Sequence, residues 1–574
     1  MRPLVIGGET EYGIFTNDFN DSSWSSVNAA HEVVRAISQL NMSFVDRGLE
    51  QIETIEEHEL AEEEARNQWT LEPENLLPVP LFDIHSRFMP FPRSSSESGA
   101  LRQRRGISGY VLQTGARYYV DMGHPEYSTP ETLSPYTIVL VQKAGDLIVE
   151  ECRKIAQLSM RQRTGNPDFT IRLHRNNSDG KGSSYAGHEN YSLTPDTFEK
   201  IVHYEKSMMW CPNHRRMEST YAPGKGMYTD FVLKFFVTRQ IITDAGKVGS
   251  ETQDYVPYQI SSRADFMMEE VGHSTVAYRP IINTRDQPLA AYKRLRRLHV
   301  ICGDSNVSEL SIYLKFGITA LFFQMLEAGL IQASGGNLAI PLTHAVGAYH
   351  AVSRDLTLRK KLSLINGDKM SALETQVLYC QMAKAFVAAS LCDPVWTDVV
   401  EKWEGVLQGL DGNRAKHELS KNLDWVMKER LLAIKQKKHG IEPTHEACYD
   451  LALSYHDTNP EVSIAHSMLQ EGKMMRIVRE DEIIRMTRRA PSDTRAWFRG
   501  ELLQRYAQDV IDIGWDYAEF KKDQLIYMED PRHCTEAQIR PFLQDNPSLA
   551  VLLSRLKKAS EDGIISGITT TYRR

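Results

Sequence analysis

The chain opens with an apolar run, Leu4-Val5-Ile6, then a glycine pair, then Glu9-Thr10-Glu11-Tyr12. This pattern predicts a buried strand whose alternate residues share a face. Glu9 and Glu11 then point the same way. Two carboxylates on one face repel each other unless a cation sits between them. Two solvated edge residues would give the same pattern. Strand-like alternation returns around Tyr118 and Val120, and Phe169–His174 reads as a strand. Residues 230–245 and 275–283 hold further strand-like runs, and residues 136–160 read as a helix. A helix-rich stretch runs, with breaks, from 305 to about 485. Within it, Asp457-Thr-Asn-Pro460-Glu461 predicts a helix start, with polar caps ahead of a proline and an acidic first turn. From Ala490-Pro491 onward lies a last compact segment of about 85 residues.

One region breaks the periodicity. Residues 46–66, DRGLEQIETIEEHELAEEEAR, are strongly acidic, with a thin apolar stripe at Leu49, Ile52, Ile55 and Leu60 that predicts a helix. A proline-punctuated segment, LEPENLLPVPLF, follows, and then the basic PRSSSESGALRQRRG. Residues 42–108 therefore read as an insertion on the surface of a folded domain, and loops this long are commonly functional or disordered.

Composition narrows the class. The 574 residues are 41% hydrophobic and 25% charged, which is ordinary for globular chains, and the length accommodates more than one domain. A net charge of -8 argues against nucleic acid as the main partner, because phosphate binding needs a basic surface. Leu4-Val5-Ile6 is too short for a signal segment, and no run of about 18 apolar residues predicts a membrane span. Seven scattered cysteines without a CxxC pair fit a reducing cytoplasm better than a disulfide framework. Cys211-Pro-Asn-His214 has a ligand-like spacing but lacks the second half of a zinc site.

Four stretches concentrate ionisable and small residues outside any amphipathic pattern: ETEYG at 9–13, GARYYVDMGHPEYSTPE at 115–131, NNSDGKGSSYAGHENY at 176–191 and RRLHVICGDSN at 296–306. Each lies in or beside a predicted strand. Together they supply Glu9, Glu11, Asp121, Glu126, Glu131, His188, Glu189 and His299. An antiparallel sheet can gather these on one concave face. Hard oxygens with an occasional imidazole suit Mg²⁺ or Mn²⁺, and Mg²⁺ normally arrives with phosphate. Arg117 and Arg297 are candidates to clamp phosphate oxygens. No GxxxxGK[ST] or GxGxxG motif is present, so a nucleotide, if bound, lies on a sheet. Each residue taken singly also has a structural reading: Asp121 as a turn cap, His124-Pro125 as a bend, His299 as a satisfied core histidine.

In their order and spacing, ETEYG, TGARYYVDMGHPEYSTPE, RNNSDGKGSSYAGHENY, RPIINTRDQP, RRLHVICGDSNVSELSIYLKFG and PSDTRAWFRGE resemble the Pup ligase/depupylase family, over nearly the whole chain outside the insertion. The resemblance implies an α+β fold: a glutamine-synthetase-like curved antiparallel sheet cradling ATP (or ADP) and Mg²⁺, backed by helices. It implies a large catalytic domain over 1–489 and a small C-terminal domain over 490–574. The wide spacing between ETEYG and GARYYVD, the two residues separating Asp121 from His124, and the form of the 176–191 stretch look like the depupylase/deamidase branch. By position, Asp121 matches the catalytic aspartate. Glu9, Tyr119, Glu126, Glu189 and His299 are expected at the metals. Glu11, Arg117, Ser128, His188, Arg297 and Trp515 are expected at the nucleotide. Arg239, Arg263 and Arg285 are candidates to bind Pup, an acidic and largely disordered protein in this family.

The activity so implied is hydrolysis of the side-chain amide of Pup's C-terminal glutamate or glutamine, either as an isopeptide to a substrate lysine or as a carboxamide. Partners are then Pup and pupylated proteins, with a functional link to the bacterial proteasome, and neither nucleic acid nor membrane. The alternative is the ligase reaction, which forms that isopeptide with ATP hydrolysis. A non-catalytic Pup-binding regulator has no need of the acidic set, and a small-molecule ligase has no need of the Pup-family motifs.

Overall fold

The computed structural model describes residues 4–17, 26–40, 43–45 and 109–572, except 181, 212–215, 254, 287–289, 291 and 391–392. Its centre is a seven-stranded antiparallel sheet. The strands are β1 (Ile6–Glu11), β2 (Ser43–Val45), β3 (Gly109–Leu112), β4 (Arg117–Asp121), β5 (His124–Ser128), β6 (Gly187–Leu193) and β7 (Arg296–Val300), in the spatial order β7-β6-β1-β5-β4-β3-β2. Three of the four chemistry-rich stretches thus sit on adjacent central strands, and the fourth forms an edge.

Two long helices cover one face of this sheet. The helix α1 (Pro135–Thr164) starts where Ser134 accepts a hydrogen bond from the Tyr136 N–H, has proline in its first turn, and stops at Gly165 in the left-handed region. The helix α3 (Glu309–Glu327) is capped by Ser308 and is buried from Glu309 to Leu326. It is apolar and long enough to cross a membrane, but all of it lies inside this core. A Cβ at Gly8 on β1 would lie 2.5 Å from Gln142 Nε2 and 3.0 Å from Phe316, so glycine is what lets both helices rest directly on the strand. Ile6, Leu140, Tyr191, Phe316 and Phe323 make the contact layer.

Between β6 and β7 lies α2 (Thr229–Thr243), where sequence periodicity predicted a strand. Its residues are buried nearly all round, so it carries no polar face to reveal a helical period. Phe235 stacks on Phe322 of α3 at a centroid distance of 4.0 Å. The helix expected to start at Asp457 starts instead at Ile464, capped by Ser463. Asp457 is otherwise engaged: its Oδ2 accepts from Arg172 Nη2 at 2.7 Å and lies 3.3 Å from His174 Nε2.

The C-terminal segment builds its own core. A helix (Arg495–Tyr506) and another (Leu549–Glu561) pack on a four-stranded antiparallel sheet made of 510–513, 517–520, 524–527 and 569–572. Val111 of β3 joins that core from the large sheet. Residues 43–45 pair with 110–112, so the stretch that the sequence assigns to an insertion contributes one strand to the large sheet. The acidic helix expected within 46–66 lies outside the described residues, as do Pro212, Asn213 and His214 of the zinc-like spacing.

Candidate active site

Strand register decides which side chains meet. Glu9 pairs with Ser128 on one side and His188 on the other, and Glu11 pairs with Glu126. Arg117 pairs with Ser128, Tyr119 with Glu126, and Asp121 with His124. His299 pairs with Asn190, and Arg297 with Ser192. Because side chains alternate, all of these fall on the face opposite α1 and α3. Asp121 stands at the mouth of the β4–β5 hairpin. Both turn residues take left-handed backbone, Met122 at φ 45° and Gly123 at φ 87°, the geometry of a two-residue hairpin turn.

Two ligand groups form on this face. In the first, Glu9, His188 and His299 bring one ligand atom each within 4.8 Å of one another. In the second, Glu11, Asp121 and Glu126 do the same. Glu9 and Glu11 are two residues apart on one strand, so the groups are spaced by roughly 7 Å.

Their electrostatics differ. Burial alone would raise the Glu9 carboxyl, but His299, His188 and Arg297 hold it well below the usual carboxylate range. His188 Nδ1 lies 3.0 Å from Glu9 Oε2, and Arg297 Nη1 lies 3.6 Å from Glu9 Oε1. Glu126 is the reverse case. Burial and the neighbouring Asp121, Glu9 and Glu11 carboxylates push its carboxyl well above the usual range. Among the described residues it has no ion pair, and its hydrogen bond comes from the Tyr119 hydroxyl at 2.5 Å. Burial, then Glu126 and Glu9, likewise push the Tyr119 phenol far up. An acidic trio of this kind fits a hard divalent cation, which would relieve the repulsion.

The C-terminal segment closes the cradle beyond Arg117. The Arg117 guanidinium lies 5.1 Å from the Trp515 ring centroid, and Arg499 lies 4.9 Å from the same ring. Arg499 also donates to Trp515 O at 2.8 Å and to Gly115 O at 2.7 Å. Glu131, counted among the candidate site carboxylates from sequence, instead accepts from Arg495 Nε at 2.7 Å and Arg499 Nη2 at 2.6 Å. It pins the C-terminal segment to the end of β5.

Other expected positions also move. Glu189, expected at the metals, faces the helices. It is fully buried and paired with Arg239 through Oε1 at 2.6 Å and Oε2 at 2.8 Å, and Tyr191 donates to it at 2.5 Å. Adjacent residues of a strand point to opposite sides, so His188 and Glu189 cannot both face the cradle. Arg239, expected at Pup, is thereby an internal partner of Glu189. Arg263, expected there too, is buried, with Nε and Nη2 on Ile301 O at 3.2 and 3.0 Å and Nη1 on Ser184 Oγ at 2.7 Å. Arg285 is half-buried, with Nε donating to His273 O at 3.3 Å. Sequence reasoning counted Asn190 with His188 and Glu189 as a potential ligand but gave it no role; it touches three cradle residues at once. Its signal was its position, two residues from His188 and thus on the same face.

A family model described as Pup-ligase protein matches residues 4–519. The chain belongs to the Pup-ligase family. Within that family, the chain is 34% identical to the depupylase of Acidothermus cellulolyticus, over 96% of this chain and 99% of that one. It is 33% identical to the Pup deamidase/depupylase of Mycobacterium tuberculosis, over 79% and 83%. It is 32% identical to the Pup–protein ligase of Nakamurella multipartita, over 76% and 90%. Among solved structures, it superposes on the complex of Pup with its ligase PafA with a TM-score of 0.70 and 23% identity, covering 98% of this chain and 95% of that one. It superposes on PafA in complex with ADP with a TM-score of 0.65 and 25% identity, covering 83% and 99%. The antiparallel cradle and its helical backing are therefore the α+β architecture of this family.

Proposed function

We propose that the protein is a depupylase and Pup deamidase, hydrolysing the side-chain amide of the C-terminal glutamate or glutamine of Pup. The observation that supports this most is the end-to-end similarity to a depupylase, covering 96% of this chain and 99% of the relative. The site chemistry agrees. Amides are poor electrophiles, so the reaction needs an activated nucleophile and a polarised carbonyl. Asp121 is the carboxylate at the open hairpin mouth. As a base it takes a proton from water, the resulting hydroxide adds to the amide carbon, and the departing amine recovers the proton from Asp121. As a nucleophile it adds directly, expels the amine as the amine takes a proton from water, and leaves an anhydride that water opens. Both routes release lysine amine or ammonia and a free γ-carboxylate.

The acidic trio and the Glu9, His188 and His299 group have the donor chemistry for Mg²⁺, with Tyr119 hydrogen-bonded to Glu126 beside them. When bound there, a divalent cation supplies Lewis-acid polarisation of the substrate carbonyl. Arg117, Ser128, Arg297 and Trp515 are assigned to ATP or ADP, while Glu11 and His188, expected at the nucleotide from sequence, are assigned to the two cation groups. The cation–π pairing of Arg117 with Trp515 brings that strand end and the C-terminal segment to one place. The free, buried cysteines among the described residues suit a cytoplasmic setting, where Pup conjugates bound for the proteasome would be its substrates.

The Pup–protein ligase reaction is the second reading, supported by a ligase at nearly the same identity over 90% of its length. Incubating the protein with a lysine-linked Pup conjugate, Mg²⁺ and either ADP or ATP separates the two. Free Pup released with ADP as well as ATP, and lost in Asp121→Ala, supports the hydrolase. Conjugate formed from Pup and a target, with ATP consumed and no release from the conjugate, supports the ligase.

A further inference from the structure

Asn190 stands beside the first ligand group, hydrogen-bonded to Glu9 and His299 of that group and to Arg297. Its Nδ2 donates to Glu9 Oε1 at 2.8 Å. Its Oδ1 meets Arg297 Nη1 at 3.1 Å and His299 Nδ1 at 2.9 Å. An ionised carboxylate only accepts and a guanidinium only donates. Glu9 and Arg297 therefore fix the amide from both ends: a flipped amide would turn its oxygen on the carboxylate and its NH₂ on the guanidinium. With Oδ1 so placed, the nitrogen of His299 that faces it must carry a hydrogen. In a neutral imidazole the lone pair then resides on Nε2 alone. His188 is tied in the same way, its Nδ1 lying 3.0 Å from Glu9 Oε2. The edge-on contact of the two rings, with centroids 4.7 Å apart, keeps them together.

We propose that Asn190 is a positioning residue that selects the Nδ1–H tautomer of His299 and so commits Nε2 to the divalent cation held by Glu9, His188 and His299. Partners of this kind on the far nitrogen of a ligating imidazole orient the ring and fix its tautomer, and losing one typically weakens metal binding by about 10- to 100-fold. The inference rests on reading the cradle as a divalent-cation site. It adds a division of labour. Asn190 serves the imidazole-containing group: its hydrogen bonds go to Glu9, Arg297 and His299.

The test uses the full chain, Mn²⁺ as the probe and two variants. Asn190→Leu removes both ends of the amide. Asn190→Asp keeps an oxygen for His299 and Arg297. Mn²⁺ affinity is followed by titration calorimetry, and the His299 tautomer by ¹⁵N resonances of histidine-labelled protein, assigned with His299→Gln. The expected result is an Nδ1–H His299 in the wild type, a mixed or reversed tautomer in Asn190→Leu, and loss of one Mn²⁺ class by about 10-fold or more with the other retained. Asn190→Asp should restore the tautomer. A wild-type His299 protonated at Nε2 alone overturns the proposal. So does an Asn190→Leu protein with unchanged tautomer and affinities, or one that loses both Mn²⁺ classes together, as general disruption would cause. A wild-type protein that binds no Mn²⁺ overturns the cation reading, and the tautomer measurement then still decides the assignment of Asn190.

Discussion

Two glutamates of the same sheet, Glu189 and Glu126, are both fully buried, and they behave as opposites. Glu189 faces the helices, where Arg239 grips it with two hydrogen bonds and Tyr191 adds a third. Glu126 faces the cradle, where its neighbours are Asp121, Glu9 and Glu11. A carboxylate beside a guanidinium is satisfied and structural. A carboxylate crowded by other carboxylates is unsatisfied until something positive arrives. Composition cannot tell the two apart. The partner on the next element does.

That contrast can be broken experimentally, beginning with the residue at its most exposed end. Asp121→Asn should lower turnover of a Pup conjugate by about 10³-fold or more while the fold survives, since the lost group performs the chemistry. Steady-state kinetics beside a thermal melt checks both halves. Next comes the pair itself. Glu189→Gln should destabilise the protein by about 3–5 kcal/mol, because it strands a buried guanidinium. Glu126→Gln, in EDTA, should be close to neutral, because it replaces a carboxyl whose ionisation burial and its acidic neighbours already oppose. Denaturant unfolding of the two variants side by side decides it, and equal losses would erase the distinction drawn here.

The Glu131 node sharpens the comparison through pH. Burial raises its carboxyl, but Arg499 and Arg495 override this and pull it down to about 2. A depressed folded value means stability that is present above the unfolded pKa and lost as the carboxyl protonates. Acidification from about pH 4.5 to pH 2 should therefore cost on the order of 3 kcal/mol at this junction. Unfolding followed through tryptophan fluorescence, with Glu131→Gln as the control, should show a flatter acid limb in the variant. The smallest effect expected is at the hairpin tip. Met122→Asn, at a φ of 45° that asparagine tolerates better, should stabilise by about 1 kcal/mol. A fall in thermal midpoint would mean that the methionine side chain contributes more than its strained backbone takes away.

Much of the cradle was legible in the chain because its evidence is local. Alternation in ETEYG and in ARYYVD puts Glu9 with Glu11, and Arg117 with Tyr119 and Asp121, on one face before any pairing is known. What stayed hidden depends on distant partners. The role of Glu189 is set by Arg239, fifty residues later. Glu131 looked like one more site acid until Arg495 and Arg499 arrived from the other end of the chain. The helix at 229–243 read as a strand because a segment buried on all sides loses its polar stripe, leaving only β-branched and aromatic composition to judge by.

The most direct test of the whole account is isotopic. Multiple turnovers of a lysine-linked Pup conjugate in H₂¹⁸O, with Mg²⁺ and ADP, should place one ¹⁸O in the γ-carboxylate of the terminal glutamate of each Pup released, read by mass spectrometry. Released Pup without the label, or no release while ATP is spent forming new conjugates, would contradict hydrolysis at this cradle.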